Sequence, residues 1–449
     1  MEFKISKDLI KELEQLILLK NDQQLEVLLN DLHHADIAEI LDELDFDEAT
    51  YIFKVLDSEK TAEILLELED DLREKILSRL SPKEIAEELD ELETNDAADI
   101  IGELSNDKKQ EVISELQDVE HAKDIVELLR FDEDTAGGLM HKELVKVNEN
   151  WNVFTCIKEM RIQAENISRV HSIYVVDNQD KLLGRLSLKD LLTTSAKTPI
   201  SEVYIKKLNS VMVDTEDIEV ARIMQKYDLE AIPVTDELGR LVGRITIDDI
   251  LDVIKDEAEK DYQLAAGITQ DVEAGDSVKE LTKARLPWLL IGMCIEIVAS
   301  VVLKGNEMTM QHYFTLMIFV PLLSATAGNV GVQASAIVVQ GLANGTLKSF
   351  SRNYFSKELT VALISGSIIS LLLLAYHSVM YQQYLVGFAI SISIIVVILF
   401  AATLGTLVPF FLHKNKIDPA IATGPFVTTT NDVFGIIIYF MIAKLILGV

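Results

Sequence analysis

The sequence predicts a multidomain membrane protein: an all-α superhelical N-terminal domain, tandem α/β modules, a polar linking helix and an all-α domain of five transmembrane helices. Leucine recurs every twelve residues near the start, a strand–turn–strand–helix block occurs twice in the middle, and five long apolar runs fill the C-terminal part. A chain of 449 residues is too long for one hydrophobic core. We place the domains at 1–133 (helical repeats), 134–198 and 199–257 (α/β modules), 258–282 (linking helix) and 283–449 (membrane domain).

The net charge of −32 is unevenly distributed. From Leu281 onward the chain has nine Lys or Arg and five Asp or Glu, so the first 280 residues hold the acidic excess. Such a region repels phosphate backbones, which argues against nucleic acid and favours cations as partners, although solubility explains part of the charge. Cys156 and Cys294 lack metal-ligand spacing and predict neither a disulfide framework nor a zinc site. The charged N-terminal stretch predicts no cleavable signal peptide.

The acidic region begins with a helical repeat. Leucines stand at every twelfth position from Leu32 to Leu128, each with an apolar residue three positions earlier. The i, i+3 spacing places both on one helix face. Breaks such as Ser81-Pro82 and Thr94-Asn95-Asp96 separate the repeats, which predicts short helices stacked in a solenoid.

Two interpretations of the acidic side chains in this repeat stay open. Most Asp and Glu residues are expected on solvated helix faces. Alternatively, a subset that includes Asp96 and Asp99 meets acidic residues of the next domain across a gap that only a cation can bridge.

Two matching α/β blocks follow. Strand 172–177 and the segment 181–192 correspond to strand 231–236 and the segment 239–251, each with an Asp-containing turn, a glycine in the second strand and a helix opened by Asp. This duplication resembles a tandem pair of cystathionine-beta-synthase (CBS) domains. The resemblance implies that Thr246 and Asp249 hold the ribose of an adenine nucleotide such as ATP, beside a helix N-terminus that attracts phosphate. Both residues equally fit simple helix capping.

The linking region is dense in carboxylates. Asp248 and Asp252, like Asp252 and Asp256, lie one helical turn apart, where like charges repel. Such repulsion is typical of an ion-operated switch that spreads apart until divalent cations bind. A solvated helix surface would have the same pattern.

Five apolar runs, at 286–303, 313–342, 359–381, 384–412 and 420–448, are each long enough to be membrane spans. With the acidic region in the cytoplasm, seven basic residues flank the inner side and two the outer side, which agrees with the positive-inside rule and places the C-terminus outside. The inner residues are Lys283, Arg285, Lys348, Arg352, Lys357, Lys414 and Lys416, and the outer ones are Lys304 and Lys444.

The fifth span contains an aspartate, Asp432, at membrane depth. An ionised Asp inside such a helix costs about 3 kcal/mol, so it is expected to face a wet path or a bound cation. The threonines that precede it, including Thr428, supply hard oxygen ligands that suit Mg2+, Ca2+ or Na+. Packing of the Asp against neighbouring threonines is the alternative.

The second span also departs from an ordinary apolar helix. Pro321 is followed by small residues and by Gly328, Asn329 and Gln333. Irregular or polar backbone at this depth is tolerated where it packs in protein or lines water. Asn329 and Gln333 are therefore candidate pore or interface groups, and the glycines fit either a pore or close helix packing. Glu296 and Glu307 are weaker candidates.

The order of domains, the pattern Pro-x(6)-Gly-Asn-x-Gly-x-Gln in the second span, and Asp418-Pro419 followed by 425–429 and Asp432 in the fifth, resemble the MgtE family of magnesium channels. The resemblance covers essentially the whole chain. It implies a homodimer in the plasma or inner membrane, a pore between subunits lined by the second and fifth spans, and an ion site at Asp432. One departure is Lys189-Asp190 in the first CBS domain, where the second has two acids.

The resemblance also implies that cytoplasmic Mg2+ between the helical domain, the CBS pair and the linking, or plug, helix closes the pore. The matching acidic positions are Asp248, Asp249, Asp252, Glu257 and Glu259, with Asp96 and Asp99 opposite them. Mg2+ would thus be both substrate and regulator. Two other functions stay open: a secondary transporter coupled to Na+ or H+, and a nucleotide or ion sensor without transport. No nucleophile or phosphate-cleaving loop indicates an enzyme.

Overall fold

The structure is a computed structural model that describes residues 5–167, 169–270, 272–273, 275–347, 349–422 and 424–449. It divides into two compact units, Met1–Lys255 and Asp256–Val449. The first unit contains the helical repeats and the α/β pair, and the second contains the membrane helices.

From residue 5 onward, the N-terminal region is a stack of ten short helices. Alternate helices pack together, α3 on α5, α5 on α7, α7 on α9 and α8 on α10, which is the arrangement of a solenoid. The helices are α1 (Lys7–Leu18), α2 (Asp22–Asn30), α3 (His34–Asp42), α4 (Phe46–Val55), α5 (Ser58–Glu67), α6 (Asp70–Arg79), α7 (Pro82–Leu89), α8 (Thr94–Glu103), α9 (Asn106–Glu115) and α10 (Val119–Leu128).

The twelve-residue repeat is confirmed by the positions of its leucines. The earlier residue of each pair lies inside a helix and is buried, as are Leu41, Leu65 and Leu89, except that Ile113 is half-buried. The later leucine, such as Leu68, lies at the helix end or just beyond it. The proposed break at Ser81-Pro82 is confirmed, because Ser81 is the N-cap of α7 and forms a capping box with Glu84.

The proposed break at Thr94-Asn95-Asp96 is wrong. These residues form the first turn of α8, whose N-cap is Glu93. The carboxylate of Glu143, 49 residues away in sequence, accepts hydrogen bonds from the backbone N–H of Thr94 (3.1 Å) and from its hydroxyl (3.0 Å). Local sequence does not reveal this distant cap, which satisfies one of the free N–H groups of the helix.

The two α/β modules have the same topology. In each, a parallel pair of strands is followed by an antiparallel third strand, in the orders β1-β2-β3 and β4-β5-β6. In both antiparallel pairs an Asp carboxylate, Asp177 or Asp236, accepts backbone hydrogen bonds across the turn. The elements are α11 (Ala136–Leu139), β1 (Val145–Asn148), α12 (Val153–Gln163), β2 (Ile173–Val176), β3 (Leu182–Leu186), α13 (Leu188–Thr193), β4 (Val211–Met212), α14 (Asp217–Tyr227), β5 (Ala231–Thr235) and β6 (Leu241–Thr246).

The linking helix α15 (Ile247–Ala266) differs in extent from the expected helix at 258–282. It starts directly after β6, with Asp248 and Asp249 in its first turn, where carboxylates favour the helix dipole. It ends before Gly267, whose φ of +83° belongs to the left-handed region that glycine adopts at helix ends. The Lys255–Asp256 boundary between the two units falls within this helix.

The five expected spans are confirmed as helices that are long and apolar enough to cross a membrane. They are α16 (Val278–Gly305), α18 (Phe314–Ala343), α19 (Arg352–Met380), α20 (Tyr384–Lys414) and α21 (Gly424–Leu447), with a short α17 (Glu307–His312) after the first. Helix α18 is continuous through Pro321, so the irregular backbone suggested for the second span does not occur there. Helix α20 packs on α18, α19 and α21, and α21 also packs on α16 and α18.

We expect Leu65→Ala to lower the free energy of unfolding of a fragment comprising residues 1–255 by about 2–5 kcal/mol, because Leu65 is fully buried between repeats. The adjacent Leu66 is 39% exposed, so Leu66→Ala is the matched control and should cost under about 1 kcal/mol. Urea unfolding measures both. Equal losses would show that the repeat does not form the core described.

Candidate cation sites

Asp432 lies in α21, with its side chain half-buried. Its carboxyl group neighbours the carboxyl of Glu296 on α16 and the hydroxyl of Ser324 on α18. Three helices of the membrane domain therefore bring oxygen atoms to one point. Two carboxyls and a hydroxyl form a hard, anionic ligand set that suits Mg2+ or another hard cation.

The side chains around this point hold α18 and α21 close together. A Cβ on Gly328 would stand 3.1 Å from Cγ2 of Thr428, and a Cβ on Gly331 would collide with Asn431 and Val427. The hydroxyl of Thr428 donates to the carbonyl of Gly424 in its own helix (3.1 Å). Gly328 and Thr428 thus have a packing contact, and their expected role as pore ligands stays a prediction.

Asn329 and Gln333 are exposed on the surface of the single chain. They lie one turn apart on α18, so their amides share one face of the helix. Amide side chains at membrane depth need hydrogen-bond partners from water or protein. Glu296 is likewise exposed. Exposed polar groups at membrane depth are expected to face protein or water rather than lipid.

A second group of carboxylates lies inside the first unit, where α8 meets the second α/β module. Asp96 and Asp99 on α8 are close enough to Asp249 on α15 to interact electrostatically with it. Asn95 donates from Nδ2 to Asp249 (3.3 Å) and to Asp96 (3.0 Å). The expected approach of Asp96 and Asp99 to an acidic residue of the next domain is therefore present.

This crowding shifts the pKa values of the carboxyls. Burial is the main reason that the pKa of Asp96 is raised to about 7. The positive charge of His141 opposes this shift, and the negative charges of Asp249, Glu93 and Glu143 add to it. Burial and then Asp96 raise the pKa of Asp99 to about 7, although this residue is exposed, so solvent screens part of the effect. A divalent cation bound beside these carboxyls would favour their ionised form, because an opposite charge nearby stabilises a carboxylate.

Asp249 itself is already engaged. Its Oδ2 accepts from the backbone N–H of Thr246 (2.9 Å), from the Thr246 hydroxyl (2.7 Å) and from Nε2 of His141 (2.7 Å). Although burial opposes it, these contacts lower the pKa of Asp249 below its usual value. Thr246 and Asp249 thus have the capping arrangement, and ribose binding by them stays a prediction.

The other expected sensor residues lie along α15, and their role in binding Mg2+ stays a prediction. Asp248 and Asp252 are exposed on α15, and Glu257 and Glu259 belong to the second unit. In that unit Asp261 forms an acidic group that sequence reasoning missed. Burial, then Asp418 and Glu257, raise the pKa of Asp261 to about 6.

Sequence reasoning also missed a cluster beside Asp249. Nδ1 of His141 lies 2.7 Å from Oε2 of Glu93, and Nη2 of Arg244 lies 3.4 Å from the same oxygen. One ligand atom each from Glu93, His141 and Glu143 falls within 4.8 Å of the others. Burial alone would lower the pKa of His141, but its ring contacts with Asp249 and Glu93 raise it to about 10. The spacing His-x-Glu at 141–143 was the only local signal.

The acidic membrane site, the tandem α/β modules and the five spans define a multi-pass membrane transporter of divalent cations with CBS domains. The family model "MgtE intracellular N domain" matches residues 32–134, "CBS domain" matches 136–197 and 200–256, and "Divalent cation transporter" matches 320–442. The chain belongs to the MgtE family of magnesium transporters.

Two relatives and one solved structure support this assignment. Magnesium transporter MgtE of Thermus thermophilus is 37% identical over 72% of this chain and 72% of its own length. The Enterococcus faecalis protein of the same name is 34% identical over 73% and 72%. The crystal structure of the cytosolic domain of the Mg2+ channel MgtE in complex with ATP aligns with a TM-score of 0.51, at 34% identity, over 54% of this chain and 99% of that one.

Because folding raises the pKa of Asp96 from 3.8 to about 7, this residue stabilises the fold most at low pH and loses that contribution as pH rises toward 7 and above. We therefore expect the fragment 1–255 in EDTA to have a lower urea midpoint at pH 8 than at pH 6. Asp96→Asn should reduce this difference. Excess Mg2+ should also reduce it, whereas a difference unaffected by either change would contradict the assignment.

Proposed function

We propose that the chain is a Mg2+-selective channel that mediates magnesium uptake and is closed by cytoplasmic Mg2+. The carrying observation is Asp432 beside Glu296 and Ser324 within a domain of five apolar helices. Carboxylates at this depth are costly unless they serve an ion path. The names of the relatives, magnesium transporters, support Mg2+ as the ion.

The ion chemistry favours a hydrated ion at this site. Mg2+ gives up its water reluctantly and is bound through one or two carboxylates with several waters retained. Outer contacts of this kind are weak enough to let the ion leave, as conduction requires.

We further propose that the chain acts as a homodimer, with its pore on the face that carries Asn329, Gln333 and Glu296. The exposure of these polar groups on a single chain supports a second copy across a water-filled path. Two Asp432 side chains would then face one ion. We also propose that the acidic first unit lies in the cytoplasm and the C-terminus outside, which the distribution of flanking basic residues supports.

Closure by Mg2+ is proposed to act through the carboxylates of the cytoplasmic side. A cation at Asp96, Asp99 and Asp249 would hold α8 against the start of α15. At the other end of α15, the carbonyl of Ala265 lies against Gly424, the first residue of α21. Helix α21 carries Asp432, so the position of α15 affects the helix that binds the ion. When Mg2+ falls, repulsion among the carboxylates would release α15.

A transporter coupled to Na+ or H+ is the second candidate. The neighbouring Asp432 and Glu296 carboxyls favour it, because such a pair can exchange a proton or a cation. Collapsing the Na+ and H+ gradients distinguishes the coupled transporter from the channel. The coupled transporter would then lose Mg2+ uptake, whereas the channel would keep it.

Asp432→Asn is expected to lower Mg2+ uptake into proteoliposomes at least about tenfold, because losing one carboxylate contact to the ion weakens its binding by 1.4 kcal/mol or more. Glu358→Gln is the matched control, since Glu358 is a membrane-helix carboxylate on α19 with no place in the proposed site. Uptake by the control should remain near that of the unmodified chain. If Asp432→Asn transports normally, the pore assignment is wrong.

The sensor is tested by protease digestion of the full chain at increasing Mg2+. We expect Mg2+ to protect the cytoplasmic region, and the double change Asp96→Asn and Asp99→Asn to shift protection to about tenfold higher Mg2+ or more, because two candidate ligands are lost. The control pair is Glu12→Gln and Glu14→Gln, two exposed carboxylates of α1. The sensor hypothesis is wrong if Mg2+ does not change the cleavage of the unmodified chain. It is also wrong if the two double variants have the same dependence of protection on Mg2+ concentration.

A further inference from the structure

The cluster of Glu93, His141 and Glu143 differs from the magnesium sites proposed above, because it includes an imidazole. Glu93 precedes α8, whereas His141 and Glu143 lie between α11 and β1. Their ligand atoms stand within 4.8 Å of one another. Imidazole nitrogen suits zinc, cobalt, nickel and related ions, while Mg2+ prefers oxygen throughout.

The ring of His141 is oriented as a metal-binding histidine would be. The residue is buried, with 5% of its surface exposed. Its Nε2–H donates to the Asp249 carboxylate at 2.7 Å. Histidines that bind metals commonly donate their other ring N–H to a carboxylate in this way, which fixes the ring and strengthens the ligand nitrogen.

The other nitrogen, Nδ1, forms no aligned hydrogen bond, although Oε2 of Glu93 is 2.7 Å away. A short but misaligned contact is poor geometry for a donor and acceptor. Two ligands of one ion, each about 2.1 Å from the metal, stand about 3.0 Å apart in octahedral and about 3.4 Å apart in tetrahedral geometry, so a small separation of this pair would admit an ion. The proton on Nδ1 is therefore the one that an ion would replace.

Glu143 is held in place by Thr94, which donates both its backbone N–H and its hydroxyl to the carboxylate. Thr94 is fully buried, so this support is rigid. Ligating carboxylates are usually positioned by such hydrogen bonds from neighbouring groups.

The summed charge of the cluster is compatible with a bound divalent ion. Glu93, Glu143 and Asp249 supply three negative charges, and Arg244 supplies one positive charge. Lys142 pairs with Glu127 at 2.9 Å. With an imidazolium the group keeps one net negative charge. When a divalent ion replaces the Nδ1 proton, which leaves to solvent, the group becomes neutral.

We propose that Glu93, His141 and Glu143 bind a divalent transition-metal ion, and that this ion clamps the helical repeat to the α/β pair. Glu93 comes from the repeat, and the other two ligands come from the segment that leads into the first α/β module. Such an ion would fix α8, and with it Asp96 and Asp99. It would give the cytoplasmic region a response to a class of ions distinct from Mg2+.

The test uses the full chain in detergent, titrated with Co2+ in excess Mg2+ so that oxygen-only sites are filled. Binding is measured calorimetrically, and X-ray absorption of the bound cobalt reports imidazole ligands. His141→Gln and Glu93→Gln should each weaken the tightest Co2+ site at least about tenfold, and His141→Gln should remove the imidazole signal. His34→Gln is the control, because His34 also lies beside two glutamates, Glu63 and Glu67, but outside this cluster.

An imidazole signal that persists in His141→Gln, or a wild-type cobalt site with oxygen ligands only, overturns the proposal. Protease digestion shows whether each variant remains folded. If His141→Gln does not fold, the Co2+ affinity of Glu93→Gln tests the site instead. Transport is not part of this readout. If the unmodified chain fails to take up Mg2+, the proposed channel is refuted but the cobalt result still decides whether this metal site exists.

Discussion

Carboxylates held close together and away from bulk water require a positive charge, and this constraint governs both halves of the chain. Desolvation penalises an ionised carboxylate strongly unless a counter-charge is near. In the membrane domain Asp432 stands beside another acid, Glu296. In the cytoplasmic unit Asp96 stands near Asp249 and two glutamates.

The scaffold around each group holds its carboxylates close together. In the membrane, small residues such as Gly328 and Gly331 let α18 and α21 approach closely, and buried polar groups of this domain bond across helices, as Tyr439 does to the carbonyl of Leu316. In the cytoplasmic unit, Glu143 caps α8 and thereby sets the position of Asp96. Rigid packing makes the repulsion of the acids available for a switch, because the carboxylates cannot simply turn away.

Much of this architecture could be predicted because it depends on local periodicity. Twelve-residue spacing, the duplicated blocks and the five apolar runs each repeat a pattern within one segment. Asp432 was recognisable because an acid in an apolar run is costly wherever its partners lie. The linking helix α15 ends at Ala266 rather than near residue 282 as expected. Its end depends on Gly267 adopting a positive φ, which a glycine permits but does not require.

Apart from the approach of Asp96 and Asp99 to Asp249, the contacts between distant segments were not predictable. Glu143 caps α8 from 49 residues away, and His141 joins Glu93 to Asp249, which lies 108 residues further along the chain than His141. Glu93, His141 and Glu143 are unremarkable in their own segments. Likewise, Glu296 gained importance only when the fold placed it beside Asp432. Such pairings follow from tertiary packing, which a single sequence does not specify.

The most direct test of the central claim is the current through a membrane patch that contains the chain, with different Mg2+ concentrations on its two sides. If the acids serve as an ion path and an ion switch, the current reverses at the Mg2+ equilibrium potential and disappears when Mg2+ is raised on the cytoplasmic face. A reversal potential that follows the Na+ or H+ gradient, or a current indifferent to cytoplasmic Mg2+, would contradict the account.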